Sequence, residues 1–85
     1  MAQETKAADL EAQEKEILHT IIQDIEEIML NKKMSQVDLA RRINTSKQFI
    51  GYFLNPNKDS LPNIKTIIKI ANAMGAELHV SIKGR

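Results

Sequence analysis

Between Gln36 and Asn55 the chain reads QVDLARRINTSKQFIGYFLN, two helix-like apolar segments on either side of the polar triplet Asn44, Thr45 and Ser46. Asn is the non-glycine residue that best tolerates the left-handed conformation ending many helices, so Asn44 marks a turn. Ser35, followed three residues later by Asp38, resembles a capping box and starts a helix over Gln36 to Ile43 that buries Val37, Leu39, Ala40 and Ile43. Ser46 caps the next helix, Lys47 to about Leu54, in which Ile50 and Phe53 face inward. The second segment holds Phe49, Tyr52 and Phe53, all the aromatic residues of the chain. Helix, short turn, helix, with the small residue Ala40 where the two cross closely, is the constraint that the rest of the sequence has to satisfy.

The flanking segments supply two more helices. From about Asp9 to Leu30 the composition favours helix, and Leu18, Ile21, Ile22, Ile25, Ile28 and Met29 recur at spacings of three and four. Residues 1 to about 9 are polar and without period, and a polar extension over 1–16, partly helical or frayed, is expected ahead of a domain over 17–75. NPNKDSLPN, residues 55–63, is a loop. Asn63 caps a fourth helix in which Ile64, Ile67, Ile68, Ala71 and Met74 share a face, and Gly75 closes it.

At AELHVSIKG, residues 76–84, the period changes from 3.6 to 2, with Leu78, Val80 and Ile82 on one side. This predicts a strand over about 77–82. A lone strand has no partner in a helical chain, and its unpaired backbone groups favour another strand. The same strand of a second copy gives a two-fold dimer through Leu78, Val80 and Ile82; a strand offered to a different protein, or a frayed tail, are the other readings.

The totals narrow the function. With 85 residues the chain makes one small domain that buries roughly 60 to 65% of its unfolded surface, so oligomerisation would help it. It has no cysteine, hence no disulfide, thiolate metal site or thiol nucleophile, which fits a reducing, cytoplasmic setting. No apolar run approaches the ~20 residues of a membrane span, and the N-terminus lacks the order of a signal peptide. The net charge of +1 hides a division: residues 1–30 carry eight acidic and two basic side chains, and residues 31–58 six basic and one acidic. The two regions are either solvated helix faces or surfaces for different partners. His19 and His79 lie far apart, neither has a partner at metal-ligand or triad spacing, and there is no phosphate-cradling glycine loop. No enzyme, metal or cofactor is expected.

MSQVDLARRINTSKQFIGYFLN resembles the helix-turn-helix of the phage-repressor and Cro-type (XRE-like) transcription factors, through Gln36, Leu39, Ala40, Ile43, Asn44, Ser46 and Ile50. The likeness continues through LPNIKTIIKIANAMG and covers about residues 21–75. It implies an all-α, lambda-repressor-like domain of four to five helices that binds double-stranded DNA. With Ile50 in the core, Lys47, Gln48, Gly51 and Tyr52 point outward, and the matching positions of the family face the DNA groove. Their chemistry suits base reading: Lys to guanine, Gln to adenine, Tyr through its hydroxyl or against a thymine methyl. For Tyr52 a ring lying on the surface beside Phe49 is the alternative. Ser35, Gln36, Ser46, Asn55, Asn63 and the Ile64 amide fall where the family grips phosphates, with Lys58 and either Arg42 or Lys32 adding ionic contacts or standing as solvated charge.

Two departures stand out. Many members pair an Arg on helix one with a Glu ending helix three, where this chain has Met29 and Leu54, an exchange consistent with the same fold. The loop from Leu54 to Pro62 is about two residues longer than the common pattern, which puts contacts from Asn57, Lys58 and Asp59 in doubt. The tail resembles the dimerising strand of HipB-type antitoxins, and some HigA-type antitoxins share the domain. The expectation is a dimeric repressor on a palindromic operator, either a simple autorepressor or the antitoxin of a pair. In the latter case the acidic face of helix one, with Glu14, Glu16, Glu26 and Glu27, would receive a basic toxin. A protein-interaction module of the same fold is the alternative.

Overall fold

A computed structural model of the chain describes residues 6–58 and 61–84. The expectations for residues 1–5 and for Asp59 lie outside the described residues. Four helices follow one another: α1 (Ala7–Asn31), α2 (Gln36–Arg42), α3 (Lys47–Phe53) and α4 (Ile64–Ala73). Among the described residues there is no strand. α1 starts two residues before the expected Asp9 and runs unbroken through residues 16 and 17.

The apolar stripe of α1, Leu18, Ile22, Ile25 and Met29, is the floor of a single core. Leu39 and Ala40 from α2, Ile50 and Phe53 from α3, and Ile67, Ile70 and Met74 from α4 close over it. Leu39, Ile50 and Ile70 are completely excluded from solvent. Met29 and Leu54 are both buried in this cluster, so this part of the core is filled by two apolar side chains and carries none of the desolvation cost of a buried ion pair.

Two burial expectations need correcting. Val37 is 43% exposed, because a helix of seven residues makes only about two turns and Leu39 and Ala40 take the side that faces the core. On α4 the buried face is centred on Ile67, Ile70, Ala71 and Met74, and it leaves Ile64 and Ile68 outside. Apolar residues cover more than half of α4's circumference, so their spacing alone does not select which side is buried.

Three of the four helices end in the same way. Lys33, Asn44 and Gly75 adopt left-handed backbone, with φ of 54°, 57° and 72°. In each case the next residue donates its amide back across the last turn: Met34 to the carbonyl of Met29 at 2.8 Å, Thr45 to Ala40 at 2.8 Å, and Ala76 to Ala71 at 2.9 Å. These are Schellman closures, which satisfy carbonyls the helix itself leaves open. Asn44 and Gly75 act as expected; Lys33 does so at a steric cost, because an L side chain crowds the backbone in this region. α3 lacks such a residue and ends differently.

Candidate nucleic-acid interface

The start of each short helix is fixed by its cap. The Ser35 hydroxyl accepts the Asp38 amide at 3.0 Å while the Asp38 carboxylate accepts the Ser35 amide at 3.0 Å, a reciprocal capping box. The Ser35 backbone N–H first, and its hydroxyl next, hold Asp38 below the usual carboxylate value, with Arg41 and Arg42 adding to the effect. The Ser46 hydroxyl accepts the Phe49 amide at 3.1 Å, and the Asn63 side chain accepts the Lys65 amide at 2.7 Å. Ser35, Ser46 and Asn63 thus stand at three helix N-termini, where unpaired amides collect.

With Ile50 and Phe53 pinned inside, α3 turns Lys47, Gln48, Gly51 and Tyr52 outward, and all four are exposed. Tyr52 is 63% exposed and Phe49 38%, so Tyr52 projects while Phe49 straddles the edge of the core. Gln36 reaches this same face: its Oε1 lies 3.7 Å from where a Cβ on Gly51 would stand. The first turn of α2 and the middle of α3 therefore meet on one surface. Asn55, just beyond α3, accepts the Asn57 amide on its side-chain oxygen at 2.9 Å, which leaves its NH₂ group directed elsewhere. Ile64, first residue of α4, is exposed.

Lys58 departs from expectation. It is buried, and its ammonium donates to the Phe53 carbonyl at 2.6 Å while lying 4.5 Å from the centre of the Phe53 ring and 5.4 Å from that of Tyr52. Burial pushes its ammonium below the ordinary lysine value. The lysine read from sequence as a phosphate contact instead caps the C-terminus of α3, the one helix without a left-handed closing residue. Two more cations are engaged at the C-terminus of α4, where Arg42 donates to the Ala73 carbonyl at 3.0 Å and Lys32 to the Met74 carbonyl. Half of the six basic residues in 31–58 are thus bound to carbonyls, and Lys33, Arg41 and Lys47 are the other three.

Arg41 is the residue that sequence reading missed. With Val37, Asn44, Thr45 and Lys47 it lines a shallow groove between α2 and α3, so a second cation stands beside Lys47. In sequence it is one half of an Arg-Arg pair, and only the packing of α2 against α4 assigns Arg42 to the carbonyls and Arg41 to the outside. The loop that follows α3 is tied down as well: His19 donates to the Pro56 carbonyl at 3.1 Å and Glu14 accepts the Leu61 amide at 3.1 Å. His79 pairs with Glu77 at 3.3 Å, both side chains standing out from the tail into solvent. Among the described residues no group of His, Asp or Glu is arranged to hold a metal ion, and no helix is long and apolar enough to cross a membrane. In the tail Leu78 packs partly on the core, whereas Val80 and Ile82 are 72% and 97% exposed.

This disposition, two short capped helices joined by a tight turn with one of them exposed along its outer face, coincides with a family profile described as helix-turn-helix, which matches residues 25–80. The chain belongs to the helix-turn-helix family of phage-repressor and Cro type. No curated protein and no solved structure matches it. This helix-turn-helix protein is accordingly a DNA-binding regulator, in a family of DNA-binding domains rather than of enzymes. The match begins within α1 and ends in the tail, so it takes in every residue of the α2–α3 surface.

Proposed function

We propose that this protein is a sequence-specific transcriptional repressor that binds double-stranded DNA as a homodimer and reads bases with Lys47, Gln48 and Tyr52. The observation that carries the reading is the outward face of α3: a lysine and a glutamine exposed on its first turn and a tyrosine one turn later, with Gly51 between them leaving room for a base pair to approach. Their donors and acceptors match base edges in the major groove. Gln36, Ser35, Ser46, Asn55, Asn63 and the Ile64 amide grip phosphates on either side, and Arg41 replaces Lys58 as their cationic helper. The domain proper spans 17–75, with 1–16 ahead of it and a dimerising segment over 76–85.

Dimerisation is supported by the tail. A segment with alternating apolar side chains whose Val80 and Ile82 face solvent, and whose backbone groups have no ladder, acquires both burial and hydrogen bonds by pairing with its own copy. Two α3 helices related in this way enter successive major grooves, ~34 Å apart.

Within this reading the antitoxin subtype is supported by the outer side of α1, where Glu16, Glu26 and Glu27 are exposed and would meet a basic toxin. Glu14 is not in that set, since it holds the Leu61 amide. Copurification with a small basic protein encoded beside it supports this subtype; operator binding with no such neighbour leaves a simple autorepressor.

Selection of bound duplexes from random DNA tests the function. The expected result is an inverted repeat with half-sites one helical turn apart. Failure to enrich any sequence at low salt would mean that the α3 face serves a protein partner instead.

A further inference from the structure

The first part of α1 has no place in the core. Leu18 is the first residue of the helix that the core includes, so residues 7–17, about 16 Å of helix, lie ahead of the packed stripe. All of them are exposed except Glu14. Its Oε2 accepts the Leu61 amide at 3.1 Å. Five residues further along α1, His19 donates from Nε2 to the Pro56 carbonyl at 3.1 Å; a carbonyl only accepts, so Nε2 carries the proton. Both contacts fall on the segment that joins α3 to α4, on residues that are also five apart and met in the opposite order.

Between these two ties lies the closure of the recognition helix. Lys58 falls between Pro56 and Leu61, and its ammonium donates to the Phe53 carbonyl at 2.6 Å. Leu61 packs partly on the core and, with Phe49, Tyr52, Lys58 and Asn63, borders one depression between α3 and the start of α4. From Glu14 the contacts therefore lead through Leu61 to Tyr52 on α3 and to Asn63, the cap of α4. Groups on a connecting segment bind with precision only when their supports hold them within about 0.5 Å, and here the supports come from α1.

We infer that Glu14 and His19 are positioning residues for DNA reading, which hold Leu61 and Pro56 from α1 and thereby set the end of α3 and the start of α4. The inference rests on the reading of α3 proposed above. It has a diagnostic sign. Removing a carboxylate from a protein that binds a polyanion favours tighter binding by charge alone, whereas loss of the Glu14 tie loosens it.

The test measures the affinity of the full chain for the selected operator and for a random duplex by fluorescence anisotropy. It is run well below the melting temperature of every variant, with circular dichroism confirming the fold. Glu14→Ala is expected to weaken operator binding about tenfold and His19→Ala about threefold, the scale of one hydrogen bond to a charged and to a neutral group. The ratio of operator to random affinity falls with them. Glu14→Gln, which keeps an acceptor, binds like the parent, and Glu16→Ala, an exposed acid of the same helix, binds as tightly or more so. In parallel, amide exchange at Leu54 and Asn55, which donate to the Ile50 and Tyr52 carbonyls in closing α3, quickens in Glu14→Ala and not in Glu14→Gln.

Operator binding by Glu14→Ala at or above the parent affinity overturns the inference, as does exchange at Leu54 and Asn55 that stays at the parent rate. A loss shared equally by Glu14→Gln or Glu16→Ala also overturns it, because charge rather than the tie would then be responsible. A parent chain that prefers no operator over random duplex sinks the reading of α3 and the inference with it; a parent that does, matched by Glu14→Ala, sinks the inference alone.

Discussion

The Lys58 ammonium lies 2.6 Å from the Phe53 carbonyl and closes α3 from outside the helix. α1, α2 and α4 end on residues in left-handed backbone, and α3 does not. The recognition helix therefore depends on a side chain five residues away to satisfy its last turn. Replacing Lys58 by Met keeps the stem packed on Phe53 and Tyr52 but leaves a buried carbonyl without its donor, at a cost of about 1–3 kcal/mol. Urea denaturation measures it; an unchanged midpoint would mean that water takes over the cap.

The same lysine gives a pH signature. Burial holds its ammonium below the ordinary 10.5, so between its folded value and 10.5 the unfolded chain binds more protons than the folded one. The contribution of this group to stability then rises with pH through that window and is level on either side of it. The parent chain is expected to gain stability relative to Lys58→Met as pH is raised toward 10, read as the difference between their melting curves. A constant difference would place Lys58 in contact with solvent.

Lys33 offers a stabilising change. Its φ of 54° suits glycine, and its side chain makes no hydrogen bond among the described residues. Lys33→Gly relieves the left-handed strain and loses some of that gain to the greater freedom of the unfolded chain, leaving a net gain of about 0.5–1 kcal/mol. Asn44, at φ 57°, is already a residue that tolerates the region, so Asn44→Gly should change little. Thermal melts of the two variants side by side check the contrast.

What could be read from the sequence follows the range of the interactions involved. The caps at Ser35, Ser46 and Asn63, the turn at Asn44 and the inward Ile50 are set by residues within one helical turn of one another, and each stands as its spacing predicts. The fates of the cations were not legible, because Lys32, Arg42 and Lys58 look like any solvated charge until the fold brings Met74, Ala73 and Phe53 beside them. Lys33 was hidden for another reason: its left-handed conformation is imposed by the closure of Met34 onto Met29 against its own preference. Val37 and Ile68 show the limit of periodicity, which locates an apolar stripe but not which edge of it is covered.

Gly51 and Gln48 separate folding from recognition. A Cβ at position 51 would meet nothing nearer than Gln36 Oε1 at 3.7 Å, an ordinary contact, so Gly51→Ala is expected to stabilise α3 by about 0.5–1 kcal/mol. On the proposed DNA face the same methyl stands between Lys47, Gln48 and the bases, and operator affinity should fall even as the melting temperature rises. Gln48→Ala should cost about 1–3 kcal/mol in binding and relax preference at one base pair while leaving stability unchanged. Titration of the selected operator and its single-base variants checks both; an unaltered preference removes Gln48 from the reading set.

The division of the cations makes the last prediction quantitative. If Arg41 and Lys47 stand at the DNA and Lys32, Arg42 and Lys58 are bound to carbonyls, neutralising members of the two sets should affect different observables. Each phosphate-neutralising cation contributes about 0.9 to the slope of log affinity against log salt. Arg41→Gln is therefore expected to reduce that slope by about one and to leave the melting temperature in place. Lys47→Gln should reduce it less if Lys47 reads a base, because a base contact releases fewer counterions than a phosphate contact. Arg42→Gln and Lys32→Gln should leave the slope alone and lower stability by about 0.3–1 kcal/mol each, the usual worth of a cation at a helix C-terminus. Salt titrations of operator binding, paired with melts of each variant, measure both quantities. A slope that falls with Arg42→Gln and not with Arg41→Gln would reverse the assignment of the two arginines, and with it the orientation of α2 on DNA.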